Sequence, residues 1–167
     1  GQIELLFTDM MGDHEIYFRA NLFLDLTNSS FLLSYGYLPD VVDYHVSVFQ
    51  NAGFTYIQPE GVPYTYLYRL RNYGGLVWAS YPFSRYTRFD VGMQIMSMSR
   101  ENVDFPQEPS LTRFVTVPTI SYVLDDALWG FWAPVKGTRL NITLEGSPGW
   151  SDNGLSFATA RIDARHY

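Results

Sequence analysis

The sequence predicts an all-β fold, an antiparallel meander of about nine long strands. Three observations carry that expectation: apolar and polar residues alternate with a period of two, compact turn signals separate the alternating segments, and no segment reads convincingly as a helix.

The elements follow in order. A less clean strand is expected at 2–9, ahead of a turn from Asp9 to Asp13 that contains Gly12. Over 14–27 the even positions are His14, Ile16, Phe18, Ala20, Leu22, Leu24 and Leu26, and the odd ones are Glu15, Tyr17, Arg19, Asn21, Phe23, Asp25 and Thr27. At 100° per residue these apolar side chains would scatter around a helix, whereas at 180° they form one face. Less clean strands are expected at 30–38, 41–51, 73–81 and 111–125. Cleaner ones lie at 86–100 (Phe89, Val91, Met93 and Ile95 against Arg88, Asp90, Gln94 and Arg100) and at 137–146 (Leu140, Ile142 and Leu144 against Arg139, Asn141, Thr143 and Glu145). The last, 155–167, sets Ala158, Ala160, Ile162 and Ala164 against Thr159, Arg161, Asp163 and Arg165. Asn28-Ser29-Ser30, Pro39-Asp40 and Pro82-Phe83-Ser84-Arg85 supply short turns, and longer connections are expected at 52–72, 101–110, 126–136 and 147–154. Pro118 lacks a ladder donor inside an apparent strand, so a bulge or weakened pairing is expected there.

Composition narrows the class. Lys and Arg total 11 against 17 Asp and Glu, for a net charge of −6, and charged residues are 17% of the chain while aromatics are also 17%. Soluble domains carry roughly 25% charged residues. A pI near 4.9 without a basic cluster argues against nucleic acid. Zero cysteines exclude disulfides, thiolate metal sites and Cys nucleophiles. No run approaches the roughly 18 apolar residues of a spanning helix, and mean hydropathy is −0.09. Several strands nonetheless reach the roughly 9–11 residues that cross a bilayer at a tilt. One apolar face, one polar face and many aromatics are the pattern of an outer-membrane barrel, whose apolar face meets lipid. A soluble β-sandwich or lipocalin-like barrel has the same alternation with its apolar face inward, and alternation alone leaves the two even.

Tyr122-Val123-Leu124-Asp125, followed by Pro134-Val135-Lys136-Gly137 and the strand that opens Thr138-Arg139-Leu140-Asn141-Ile142, resembles a barrel hairpin of the bacterial surface-antigen superfamily, the BamA/TamA type. There a strand ends in Asp, crosses a Pro-x-x-Gly turn and resumes with Arg. Ser147-Pro148-Gly149 and the closing Arg161 to Tyr167 continue the likeness. Upstream, Asp9 to His14 and the stretch from Asn72-Tyr73-Gly74-Gly75 to Tyr81-Pro82-Phe83-Ser84 look like barrels that follow a TolB-like propeller. The family barrel has more strands than the nine counted, and single-chain bacterial barrels carry an even number. The Val-Arg-Gly-Phe/Tyr motif of the family's plugging loop is absent as well. The resemblance therefore implies that 1–167 is the N-terminal part of one outer-membrane barrel domain, with downstream strands and a propeller or POTRA-like domain elsewhere in the same chain. It implies localisation in a bacterial outer membrane, lipid and client outer-membrane or secreted proteins as partners, and protein insertion or translocation as the function. No enzymatic site, cofactor or nucleic-acid partner is expected. The alternatives are a passive outer-membrane channel or structural barrel, and a soluble ligand-binding β domain.

The polar set expected to face the lumen is Arg19, Asp25, Arg88, Asp90, Arg100, Arg139, Glu145, Arg161, Asp163 and Arg165, and the family turn set is Asp125, Pro134, Gly137 and Arg139. His14, His45 and His166 lack metal-site spacing and are expected at interfaces or in packing. Asp9/Asp13 and Asp125/Asp126 are expected to cap turns rather than bind calcium. Tyr64, Tyr66, Tyr68, Trp129 and Trp132 are expected to join an aromatic girdle rather than a sugar-stacking platform. Barrels keep short turns on the periplasmic side, so 52–72, 101–110 and 147–154 are expected outside the cell, and 126–136 on the periplasmic side by parity.

Overall fold

Eleven strands and one 3₁₀ turn make up the computed structural model, which describes residues 1–23, 25–39, 41–59, 61–149 and 154–167. The strands are β1 (Gln2–Thr8), β2 (His14–Asn21), β3 (Ser30–Tyr37), β4 (Asp43–Ile57), β5 (Tyr66–Pro82), β6 (Thr87–Asn102), β7 (Leu111–Asp125), β8 (Leu128–Trp129), β9 (Pro134–Lys136), β10 (Thr138–Pro148) and β11 (Ser156–His166). Nine of them form one antiparallel sheet in the order β1-β2-β3-β4-β5-β6-β7-β10-β11, and β8-β9 is a separate two-stranded hairpin in the β7–β10 connection. Among the described residues the sheet is not closed: β1 and β11 are its two edges.

Several sequence expectations shift in register or length. The 14–27 strand ends at Asn21, and a 3₁₀ turn follows at Leu26–Asn28. Asp25 therefore lies on a turn and not on a strand face. Its carboxylate accepts from the Thr27 backbone N–H at 2.8 Å and from the Thr27 hydroxyl, a local network that competes with the strand ladder. Leu24, Asp40 and the 150–153 part of the expected 147–154 connection lie outside the described residues. The expected loop at 52–72 shrinks to 58–65, because Asn51–Ile57 pairs with Tyr66–Asn72 in unbroken register. Gly53, Thr55, Arg69 and Arg71 interrupt the period-two contrast there, while the backbone ladder continues.

Pro118 produces no bulge. It stays in register opposite Met93 of β6, and the ladder from β7 to β10 stops one residue short of it, at Thr119 opposite Glu145. A residue without an N–H sits where one of its two ladders has ended.

Little is buried. Among described residues the buried hydrophobic side chains are Ala20, Val115 and Val117. Backbone ladders and cross-strand side-chain pairs, rather than a two-layer core, hold the sheet together.

Candidate functional site: two faces of one sheet

Register and alternation sort each strand onto two faces. The apolar face carries Ile16 opposite Tyr35, Leu33 opposite Val48, Val46 opposite Val77, Val77 opposite Met93, Val91 opposite Ile120, and Ile120 opposite Leu144. Val46, Val77, Val91 and Leu144 are each about half exposed. The opposite, polar face is the better shielded one: Asp90 is 3%, Ser121 5% and Ser47 9% exposed. Globular sheets bury apolar side chains and hydrate polar ones, and here the assignment is reversed.

Polar-face side chains pair with one another. Arg88 Nε donates to Asp90 at 3.2 Å, and Arg161 reaches diagonally to Glu145 at 2.8 Å. Arg165 holds Asp163 in a two-point contact at 2.9 and 2.8 Å. The Ser121 and Thr143 hydroxyls bond at 2.8 Å, Thr143 donates to Asn141 at 3.0 Å, and Ser34 and Ser47 bond at 2.7 Å. Arg88, Asp90, Glu145, Arg161 and Asp163 from the expected set line one cavity of about 740 Å³. The remaining members do not join it. Arg19 sits on β2 opposite Glu4, Arg100 lies over the Tyr68 ring at 5.3 Å, and Arg139 is at the turn end. Trp78, Gln94, Ser121 and Thr143 are among the other residues of the cavity wall. Trp78 and Ser121 were missed because strands 73–81 and 111–125 alternate weakly. Trp78 also dictates glycine at position 92: a Cβ there would run into the indole ring.

The turn set is assembled by β7 and β10. Arg139 stands directly opposite Asp125, and its Nε lies 2.9 Å from the carboxylate. Gly137 has φ +114°, and a Cβ on it would meet Asp126 O at 2.5 Å and Ala127 Cα at 2.8 Å, so glycine is required by conformation and by space. The Thr138 N–H donates to Asp126 Oδ1, and the Asp126 N–H returns to Thr138 O at 3.1 Å. Pro134 opens β9. Asp9 closes the first turn by accepting the His14 N–H at 3.1 Å, which holds its carboxyl below the ordinary value. The Thr27 side chain and then the Thr27 N–H do the same to Asp25.

Aromatic residues frame the apolar face at two levels. Toward the short turns, His14 stacks on Tyr37 at 5.1 Å and Tyr37 on Tyr44 at 6.5 Å, while Tyr81, Phe83 and Phe89 form edge contacts. Toward the other end, Tyr73 of β5 and Phe114 of β7 flank Ser97 of β6. Between these levels, a furrow of about 970 Å³ crosses the face past Val46, Val77, Val91, Pro118, Leu144 and Ala160. Trp129 and Trp132 lie on or beside the β8-β9 hairpin, where Phe131 and Trp132 pack edge to face at 4.7 Å and are largely exposed. Tyr66 packs against Phe105, Tyr68 lies under Arg100, and Tyr64 is exposed in the 58–65 connection. His14 also meets the Tyr35 hydroxyl at 2.8 Å, His45 lies beside Gly36, and His166 Nδ1 is 3.1 Å from the Thr138 hydroxyl.

Compared with known proteins, the chain matches no family model, no curated protein and no solved structure.

Proposed function

We propose that this chain forms part of the wall of a bacterial outer-membrane β-barrel, its apolar face in lipid and its polar face toward the lumen, in a protein that inserts or translocates other proteins. The observation that carries the membrane reading is the reversed sheet, with half-exposed valines and leucines on one face and shielded Asp90, Ser121 and Ser47 on the other. Nine strands at about 4.8 Å spacing span about 38 Å. Tyr73 and Tyr81 are eight residues apart on β5, about 26 Å along the strand and about 20 Å in depth at the usual 35–45° tilt. An apolar area of about 1,000 Å² exceeds the roughly 300–600 Å² of the largest patch on a typical soluble monomer. Its height is close to the roughly 25 Å apolar band of outer-membrane barrels between their aromatic girdles. On the apolar face of the described strands, no charged side chain falls between the two aromatic levels.

Protein insertion or translocation is supported by the Asp125–Gly137–Arg139 turn, whose ion pair and glycine requirement give the surface-antigen likeness a physical basis. A passive channel is the second reading, favoured by the polar cavity along β5, β6, β7, β10 and β11.

The chain has no cysteine, so single cysteines can be placed on an otherwise thiol-free segment. In the full-length protein in proteoliposomes, cysteine at Val46, Val77 or Val91 should resist a water-soluble maleimide, and cysteine at Asn141 or Thr143 should react. The reverse pattern sinks the membrane assignment. Steady conductance in planar bilayers, without acceleration of client insertion into vesicles, selects the passive channel.

A further inference from the structure

The apolar face does not stay apolar to the ends of its strands. Two residues beyond Tyr73 on β5 comes Arg71, and two further on Arg69, both on the same face by alternation. Arg71 stands opposite Ser99 of β6, and Ser99 opposite Thr112 of β7, so an arginine and two hydroxyl side chains form one row across three strands. Arg69 faces Glu101 in the next row.

These arginines are under-used. Arg69 Nε lies 3.7 Å and Arg71 Nη2 3.9 Å from the one Glu101 oxygen they share, both too long for hydrogen bonds. The Nε atoms of both are shielded and have no hydrogen-bond partner among the described residues. The side chains are 23% and 33% exposed, which leaves them accessible from the membrane side. Asp25 lies within electrostatic range of both; its oxygens are hydrogen-bonded to Thr27 and Asn28 and not to the guanidinium groups, but its charge, like that of Glu101, opposes an anion. Two guanidinium groups with spare donors, next to hydroxyls, suit a multiply accepting anion such as a phosphate, which arginine binds in a two-point fork. Arg71 is about 7 Å along the strand from the Tyr73 level, where the hydrocarbon gives way to headgroups.

We propose that Arg69, Arg71, Ser99 and Thr112 form a site for the phosphate of a membrane lipid headgroup, at the level where the apolar band ends. The site rests on the membrane reading above, because only a bilayer around this face brings a headgroup to that level. Glu101 acts against the ligand and sets a modest affinity.

The test uses the full-length protein in detergent micelles, with native mass spectrometry of retained lipid. The probes are lipid A carrying both phosphates, the same lipid dephosphorylated, and inorganic phosphate alone. Wild type should retain the phosphorylated lipid about tenfold better than the dephosphorylated one, the order of one hydrogen bond to a charged group. Arg69→Gln/Arg71→Gln should erase that difference while the protein keeps its heat-modifiable mobility. Glu101→Gln should raise retention about threefold, a gain that damage to the fold would not produce. Equal retention of both lipids by wild type, or competition by inorganic phosphate at the same concentration as the lipid, overturns the headgroup site and leaves the membrane reading standing. Failure of wild type to insert into vesicles overturns both.

Discussion

At the scale of single residues, glycine and the carboxylates of the turns have the clearest consequences. Gly137 is held at φ +114° against the backbone of Asp126 and Ala127. An alanine there adopts a conformation that disfavours L side chains by roughly 1–2 kcal/mol and must also push two backbone segments apart. Gly137→Ala should therefore destabilise the β7–β10 hairpin by at least about that amount, read as a lower temperature for loss of heat-modifiability. Asp25 titrates below its ordinary value of 3.8 because the Thr27 hydroxyl and N–H bind the charged form. A depressed carboxylate contributes stability that is present above its unfolded value and is lost as pH falls through the folded one. Protection of the Thr27 amide, measured against its intrinsic exchange rate, should fall below about pH 3.8 in wild type, and Asp25→Asn should remove that pH dependence. An unchanged profile would assign the protection to the backbone of the turn alone. Gly12 and the capping carboxylates were legible in the sequence, because turn chemistry is local, whereas Gly137 was singled out only by the family resemblance. That Gly92 must leave room for the Trp78 ring was not, since the contact joins two strands.

Elements show where the period-two reading succeeds. On β6 and β10 the contrast between Val91, Met93 or Ile95 and Asp90 or Gln94, and between Leu140 or Leu144 and Arg139 or Thr143, identified strand and faces together. It overran on β2, where Leu22 to Leu26 continue the apolar rhythm while Asp25 and Ser29 draw the backbone into a turn. On β4 and β5 it stopped early, since Arg71 and Arg69 occupy the apolar face of β5 past Tyr73, and Gly53 and Thr55 blur the contrast on β4. Arginine at Val77 or Met93, paired mid-band on that face, should cost about 2–4 kcal/mol in the membrane-embedded protein, measured by denaturant titration in vesicles. Arginine at Asn141, on the polar face, should cost much less. Similar penalties at all three positions would contradict the assignment of faces. The Arg139–Asp125 pair is partly exposed, so a double-mutant cycle should return a coupling of about 1 kcal/mol or less.

For the molecule as a whole, the open sheet poses a question of closure: β1 and β11 each present an edge whose backbone N–H and C=O groups cannot be left unpaired in hydrocarbon, where each costs several kcal/mol. Residues 1–167 expressed alone should associate edge to edge or aggregate. A water-soluble monomer with a cooperative melt would be incompatible with a lipid-facing sheet. The topology also separates the two ends of the sheet: the connections at 58–65 and 103–110 emerge opposite the 9–13 and 83–86 turns and the β8-β9 hairpin, and the proposed barrel places the first pair outside the cell. An epitope in 103–110 should be detected on intact cells, and one beside Phe131 only after permeabilisation; the opposite result inverts the orientation. By itself the sequence determined the all-β class, the strand number of the main sheet, most turns and the residues that share a face, because alternation and turn chemistry are encoded within a few neighbouring residues. Only the tertiary structure decided which face is shielded, that Arg88, Asp90, Glu145, Arg161 and Asp163 converge on one cavity, and that Arg69 and Arg71 stand on the apolar face beyond its aromatic rim. Each of these depends on register between strands distant in the chain, which period-two alternation within one strand does not specify.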